Sequence, residues 1–165
     1  MSQGIKLFFD VCLSKKLPKV IQSVYGEDHP DLILKHLTEY FQASDDDGDW
    51  LPLLKEGGWI VITADRGRES KKTQLPLLCS HLQITHVSMT PAFHRSGYAI
   101  HRHALLSLFP QLTCLDLLPV GTRVSLGFKP YHRRNWPSLQ IDGHALDAWC
   151  LRKGIQLPGL LIKSN

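Results

Sequence analysis

Four times along this chain a short apolar run gives way to a stretch with helical periodicity, and that alternation limits the fold more than any other feature. Residues 5–11, 32–37, 59–63 and 84–89 read as strands, each short, apolar and bounded by polar segments. A helix is expected after each. The first starts near Ser14, carries Pro18 in its first turn and buries Leu17, Val20, Ile21 and Val24, the i, i+3, i+4, i+7 pattern of one face. The second is capped by Asp47 or Asp49, buries Trp50, Leu53 and Leu54, and is closed by Gly57-Gly58. The third covers about residues 72–82, with Leu75, Leu78 and Leu82 inward. The fourth is capped by Ser96 and runs to Phe109. Residues 122–128 form a last strand, and residues 142–151 a last helix. Such alternation predicts an α/β fold of three layers, a mostly parallel central sheet with helices on both faces.

The chain has 165 residues, enough for one domain. We expect that domain over residues 1–128, followed by a basic, proline-punctuated extension over 129–165 that packs on the domain or on a partner. The apolar share of 43% excludes disorder as a whole-chain reading. The longest apolar runs fall well short of the roughly 18 residues of a membrane span. Asp10 interrupts the start, so no signal peptide is expected. Four cysteines, at 12, 79, 114 and 150, show no C-x-x-C spacing, which fits reduced thiols in the cytoplasm. The net charge of +4 is uneven: residues 131–165 carry five Lys/Arg against two Asp/Glu. That bias permits a polyanionic partner without requiring one.

In open parallel sheets ligands bind beyond the carboxyl ends of the strands, where the strand order reverses. Asp10 ends the first strand and Asp65 closely follows the third. Asp49 opens a helix on the same rim, and Glu69 lies in the loop after Asp65. Clustered carboxylates repel one another unless cations intervene. Oxygen-only ligands suit Mg²⁺ or Mn²⁺, which activate water for attack on a phosphodiester. Arg66, Arg68, Lys71 and Lys72 stand beside Asp65, placed to hold a nucleic-acid backbone. The structural reading stands beside this one: Asp49 as a helix cap, Asp10 and Asp65 as strand-end turn residues.

Lys-Leu-Phe-Phe-Asp-Val-Cys-Leu-Ser-Lys-Lys-Leu (6–17) resembles the opening of PIN-like domains, an apolar strand running into Asp and then a basic helix start. Asp49-Trp50-Leu51-Pro52 followed by Gly-Trp-Ile-Val-Ile-Thr-Ala-Asp-Arg-Gly-Arg (58–68) is similar to their middle. The resemblance covers about residues 5–128 and points to the branch of VapC-type toxins. It implies a metal-dependent ribonuclease, a hydrolase of RNA phosphodiesters, that is the toxin of a toxin–antitoxin pair. It implies metal-ligand roles for Asp10, Asp49 and Asp65. RNA, an antitoxin protein and a second copy of the chain are the partners expected. PIN nucleases usually bring a fourth polar or acidic group; Glu69 and Ser88 are the candidates. Loss of that group would leave a catalytically degenerate module that binds nucleic acid or a protein without turnover.

Other chemistries fit less well. A haloacid-dehalogenase-type phosphatase needs a second Asp where Cys12 stands, and a phosphoacceptor receiver needs an acid where Phe9 stands. A cysteine phosphatase needs Arg six residues after its nucleophile; those positions hold Pro18, Thr85, Val120 and Gln156. Asp45-Asp46-Asp47-Gly48-Asp49 is not a calcium loop, because Ala43 and Leu54 fill its first and twelfth positions. His101 and His103 point to nearly opposite sides of one helix, which argues against a transition-metal site with His94. His94, Arg95, Arg102 and His132-Arg133-Arg134 instead offer an added RNA-binding surface. Trp136 and Trp149 suit either local packing or a partner contact.

Overall fold

Among the described residues, seven strands form one sheet in the order β2-β1-β3-β4-β5-β6-β7. The computed structural model describes residues 4–64 and 75–157. In chain order the elements are β1 (Lys6–Phe9), α1 (Lys16–Tyr25), β2 (Ile33–His36), α2 (Asp47–Glu56), β3 (Ile60–Thr63), α3 (Leu75–Leu82), β4 (His86–Met89), α4 (Pro91–His94), α5 (Tyr98–Ser107), α6 (Phe109–Leu112), β5 (Arg123–Tyr131), β6 (Arg134–Ile141), β7 (His144–Ala145) and α7 (Leu146–Arg152). The first five strands pair in parallel, and the last three form an antiparallel edge. The expected three-layer α/β architecture is the observed one. No helix among the described residues is long and apolar enough to cross a membrane.

Alternation along the central strands divides the core. Leu7, Phe9, Ile60 and Ile62 pack with residues of α1, α5, α6 and α7 on one face. Phe8 and Val61 pack with Trp50, Leu51 and Leu54 of α2 and with Leu75 and Cys79 of α3 on the other. Successive side chains of a strand point to opposite faces, so near-continuous apolar runs are what a doubly covered parallel sheet needs. The crossover from β1 to β2 steps one way and that from β2 to β3 steps back across β1. Right-handed crossovers of opposite direction place their helices on opposite faces. The strand order therefore reverses between β1 and β3, and that is where the rim opens.

Several local expectations are corrected. Leu53 is exposed, and Leu51 takes its place in the core of α2. The cap of α2 is Asp46, whose Oδ1 accepts from the Gly48 N–H at 2.8 Å. Ser96 caps nothing; its hydroxyl donates back to the Phe93 carbonyl. Thr90 caps α4, and α5 starts from Gly97 at φ +85°. The boundary expected after residue 128 falls inside β5, which pairs with β6 through Tyr131↔Arg134. Residues 142–143, expected in a helix, form instead the turn between β6 and β7, with φ +52° and +76°. Leu139, Ile141, Leu146, Trp149 and Cys150 join the same core cluster as Leu7 and Phe9. Trp149 thus packs locally, whereas Trp136 is exposed.

Candidate functional site

Asp10 follows directly on β1 and is tied to the neighbouring strand by its own N–H, which donates to the Ile62 carbonyl at 3.0 Å. It thereby sits at the β1/β3 reversal, and only 5% of it is exposed. Both carboxylate oxygens are oriented. Oδ1 accepts from the Val11 N–H at 2.6 Å. Oδ2 accepts from the Thr63 hydroxyl at 2.8 Å and from the Cys12 thiol at 3.1 Å. Thr63 ends β3 and is fully buried. The Ala64 N–H donates to Cys12 Sγ at 3.2 Å, closing a ring of contacts across the two strand ends. From the other side His36, at the end of β2, holds the loop through its Nε2 on the Leu13 carbonyl at 2.9 Å. No cation among the described residues pairs with Asp10.

Electrostatics sharpen the picture. Cys12 lies exposed on the rim as a residue, but its sulfur is turned into this network. Desolvation first, and then the charge and hydrogen bond of Asp10, push its thiol up to about 12. It therefore remains a neutral donor to the carboxylate at physiological pH. Cys79, buried on α3, is also pushed up to about 12, by burial first and then by the charges of Asp47 and Asp10. Asp47 is half-buried at the start of α2. Asp49, two positions on, is exposed on the first turn of α2. Residues two apart on a helix face nearly opposite sides, which is why Asp47 is half-buried and Asp49 exposed.

Of the site residues expected from sequence, Asp10 stands at the strand-order reversal and Asp49 on the exposed side of its helix start. Asp65, Glu69, Arg66, Arg68, Lys71 and Lys72 lie outside the described residues. Among the described residues no three His, Cys, Asp or Glu stand close enough to hold a metal. The described part thus contributes one well-oriented carboxylate, and Asp65 comes two positions after Thr63 in the chain. Sequence reasoning missed Thr63 and Cys12 as companions of Asp10. Ser88 lies opposite Thr63 in the sheet register, is buried, and accepts from Arg123 Nε at 3.3 Å. His94 and His101 stack at 6.2 Å between centroids, on separate helices.

A family model described as a PIN like domain matches residues 5–87, 83 of the 165 positions. The chain belongs to the PIN-like family. The match spans β1 to the middle of β4 and includes Asp10, Thr63 and the segment after β3. PIN-like membership gives the chain nuclease potential and agrees with the doubly covered, mostly parallel sheet. The hairpin of β5 and β6, β7 and the helices α4 to α7 lie beyond the matched residues. No curated protein and no solved structure matches the chain.

Proposed function

We propose that this PIN-like chain is a divalent-metal-dependent ribonuclease acting as the toxin of a toxin–antitoxin pair. The observation that supports it is the buried Asp10 carboxylate at the strand-order reversal, with both oxygens oriented by neutral donors and no cation paired with it among the described residues. A hard oxygen donor of this kind suits Mg²⁺ or Mn²⁺. The ion would be held by Asp10 and Asp65, with Asp49 or the half-buried Asp47 from the start of α2. When bound, it supplies a water of lowered pKa and a Lewis acid for the leaving oxygen of a phosphodiester. The protein's own groups have separate tasks. Thr63, Cys12 and the Val11 N–H fix the direction of Asp10. The protonated Cys12 adds neither a second negative charge nor a soft thiolate ligand. Arg66, Arg68, Lys71 and Lys72 hold the phosphate backbone, and Glu69 lies between Arg68 and Lys71 as the fourth acidic group.

The test is thermal melting with EDTA, Mg²⁺ or Mn²⁺, wild type beside Asp10→Asn, followed by RNA cleavage. A cation bound only to the folded state adds about 2.7 kcal/mol at a hundred times its Kd. For a chain of this size that raises the midpoint by about 5–10 °C. The shift and the cleavage should both vanish in Asp10→Asn. A wild type that melts alike with and without millimolar metal, and binds RNA without a divalent ion, would show the degenerate binding module instead. The toxin role adds one requirement: expression arrests growth only while Asp10 is intact, and equal arrest by Asp10→Asn sinks it.

A further inference from the structure

We infer that the β5–β6 hairpin is a docking arm for single-stranded RNA, which holds the strand a few nucleotides from the Asp10 site. The inference rests on the ribonuclease reading of that site and names how its substrate is held.

Three observations carry it. The first is position. β5 runs parallel to β4 up to Met89↔Leu126 and then continues through five more residues, 127–131, before the chain turns back into β6. Those residues carry the hairpin roughly 17 Å past the rim on which Asp10 sits. The second is charge. Between Asp116 and Asp142 there is no acid, whereas Arg123, Lys129, Arg133 and Arg134 are all cations. Every residue from 129 to 136 is exposed.

The third is the face. Cross-strand partners share a face, and the register pairs Lys129 with Trp136 and Tyr131 with Arg134. Phe128, Leu126, Leu139 and Ile141 belong to the other face, packed toward the helical core. The exposed face thus alternates cation and aromatic ring along each strand and across the pair. Trp136 is 48% and Tyr131 59% exposed, and the two rings share the face with Lys129 and Arg134. Unpaired bases stack on aromatic rings while the cations meet the phosphates between them, and a duplex offers no such free base faces.

The same face leads to the site. Thr63, Ser88, Ser125 and Gln140 stand in one register row from β3 to β6, with Arg123 beside Ser88. Asp10 adjoins Thr63 at the head of that row. Strand spacing and rise put the Lys129/Trp136 pair roughly 20 Å from Asp10. Thr63 and Ser88 are buried and Ser125 and Gln140 half-buried, so this row fixes the distance and direction from the arm to the site and is not itself the surface the strand touches.

The experiment uses the full chain and fluorescein-labelled single-stranded RNA of about 20 and about 6 nucleotides, read by anisotropy in EDTA. Tyr131→Ala and Trp136→Ala should each weaken binding of the long strand roughly 5- to 100-fold. Lys129→Ala with Arg134→Ala should reduce the slope of log affinity against log salt by about 1.4. With Mg²⁺ or Mn²⁺, the same variants should raise KM on the long strand at unchanged kcat and leave the short strand untouched. Wild-type binding and cleavage that survive all four substitutions overturn the arm and leave the ribonuclease reading intact. Arm-dependent binding without cleavage overturns the ribonuclease reading and leaves the arm. A wild type that does not bind the strand at low salt overturns the arm. So does a change of molecular mass in light scattering at unchanged RNA affinity, which would make the hairpin a protein interface.

Discussion

Replacing Thr63 by Val removes one hydroxyl and keeps the branched shape, so it isolates the 2.8 Å hydrogen bond to Asp10 Oδ2. Both partners are buried, and the acceptor is a carboxylate with no cation beside it among the described residues. A hydrogen bond to a charged group contributes about 1.5–3 kcal/mol, a neutral one about 0.5–1.5. In Asp10→Asn the Val11 N–H, which can only donate, holds the amide oxygen, and the amide NH2 faces Thr63, whose hydroxyl turns to accept, so the bond changes from the first kind to the second. The double-mutant cycle should therefore show a coupling of about 1 kcal/mol, above the roughly 0.3–0.5 kcal/mol scatter of independent sites. Any other partner of Thr63 is common to both backgrounds and cancels. In midpoints, Thr63→Val costs about 5 °C in the wild type and about half that in Asp10→Asn. Melting by circular dichroism in EDTA reads both. Thr63→Ser, which keeps the donor, should retain most of the coupling. The same residue orients a carboxylate proposed to bind metal, so Thr63→Val should weaken Mn²⁺ binding about 10- to 100-fold. Equal losses in the two backgrounds would refute the hydrogen bond as the organising contact of the site.

Two further outcomes follow from the thiol and imidazole environments. With its thiol held near 12 rather than 9.0, Cys12 in EDTA at pH 8 should react with iodoacetamide about 10³-fold more slowly than a free cysteine. Asp10→Asn should speed it, and peptide mapping that finds free-thiol rates in the native wild type would contradict the network. His86 is fully buried, its Nδ1 on the Ile84 carbonyl at 3.0 Å, and burial first and the Arg123 charge next hold its pKa below 6.5. The unfolded chain then binds the proton more readily, so stability is full above pH 6.5 and falls as pH drops toward the folded value. His86→Asn, which keeps a donor for Ile84, should melt with a flatter pH dependence between 7.5 and 5.5; an unchanged slope would assign the effect to other histidines.

The parallel half of the sheet was legible because its strands announce themselves twice, by apolar runs and by the helical periods between them. Asp10 was legible for the same reason, as the first charge after a buried run. The antiparallel edge was hidden. Lys129, Pro130, Arg133, Arg134 and Pro137 break any apolar alternation, since this part of the hairpin has no core to face. Its turn at His132 and Arg133 adopts φ +45° and +66° without glycine or asparagine, so no hairpin signal is written there. Pro137 is tolerated because β6 is close to an edge, where a missing N–H breaks no central ladder. The companions of Asp10 were hidden for another reason. Thr63 meets it across 53 residues of chain, through a register that only the folded sheet defines. Asp47 and Asp49 are equivalent as letters, and the rotation of α2 alone tells them apart.

The central place of β1 has a consequence for the order in which this molecule comes together. β1 is synthesised before both its partners, which lie 27 and 53 residues downstream, at Lys6↔Ile33 and Leu7↔Ile60. The β5–β6 hairpin closes across two residues and needs only microseconds. Parallel pairing must first close long loops, and such non-local contacts form late. Asp10 acquires Thr63 and loses its water only when β3 docks beside β1. A chain with its hairpin formed but β3 undocked therefore has an arm and no site. Opening of the β1/β3 seam in the folded protein would return it to that condition, so the proposed nuclease site exists only while the sheet's centre is closed.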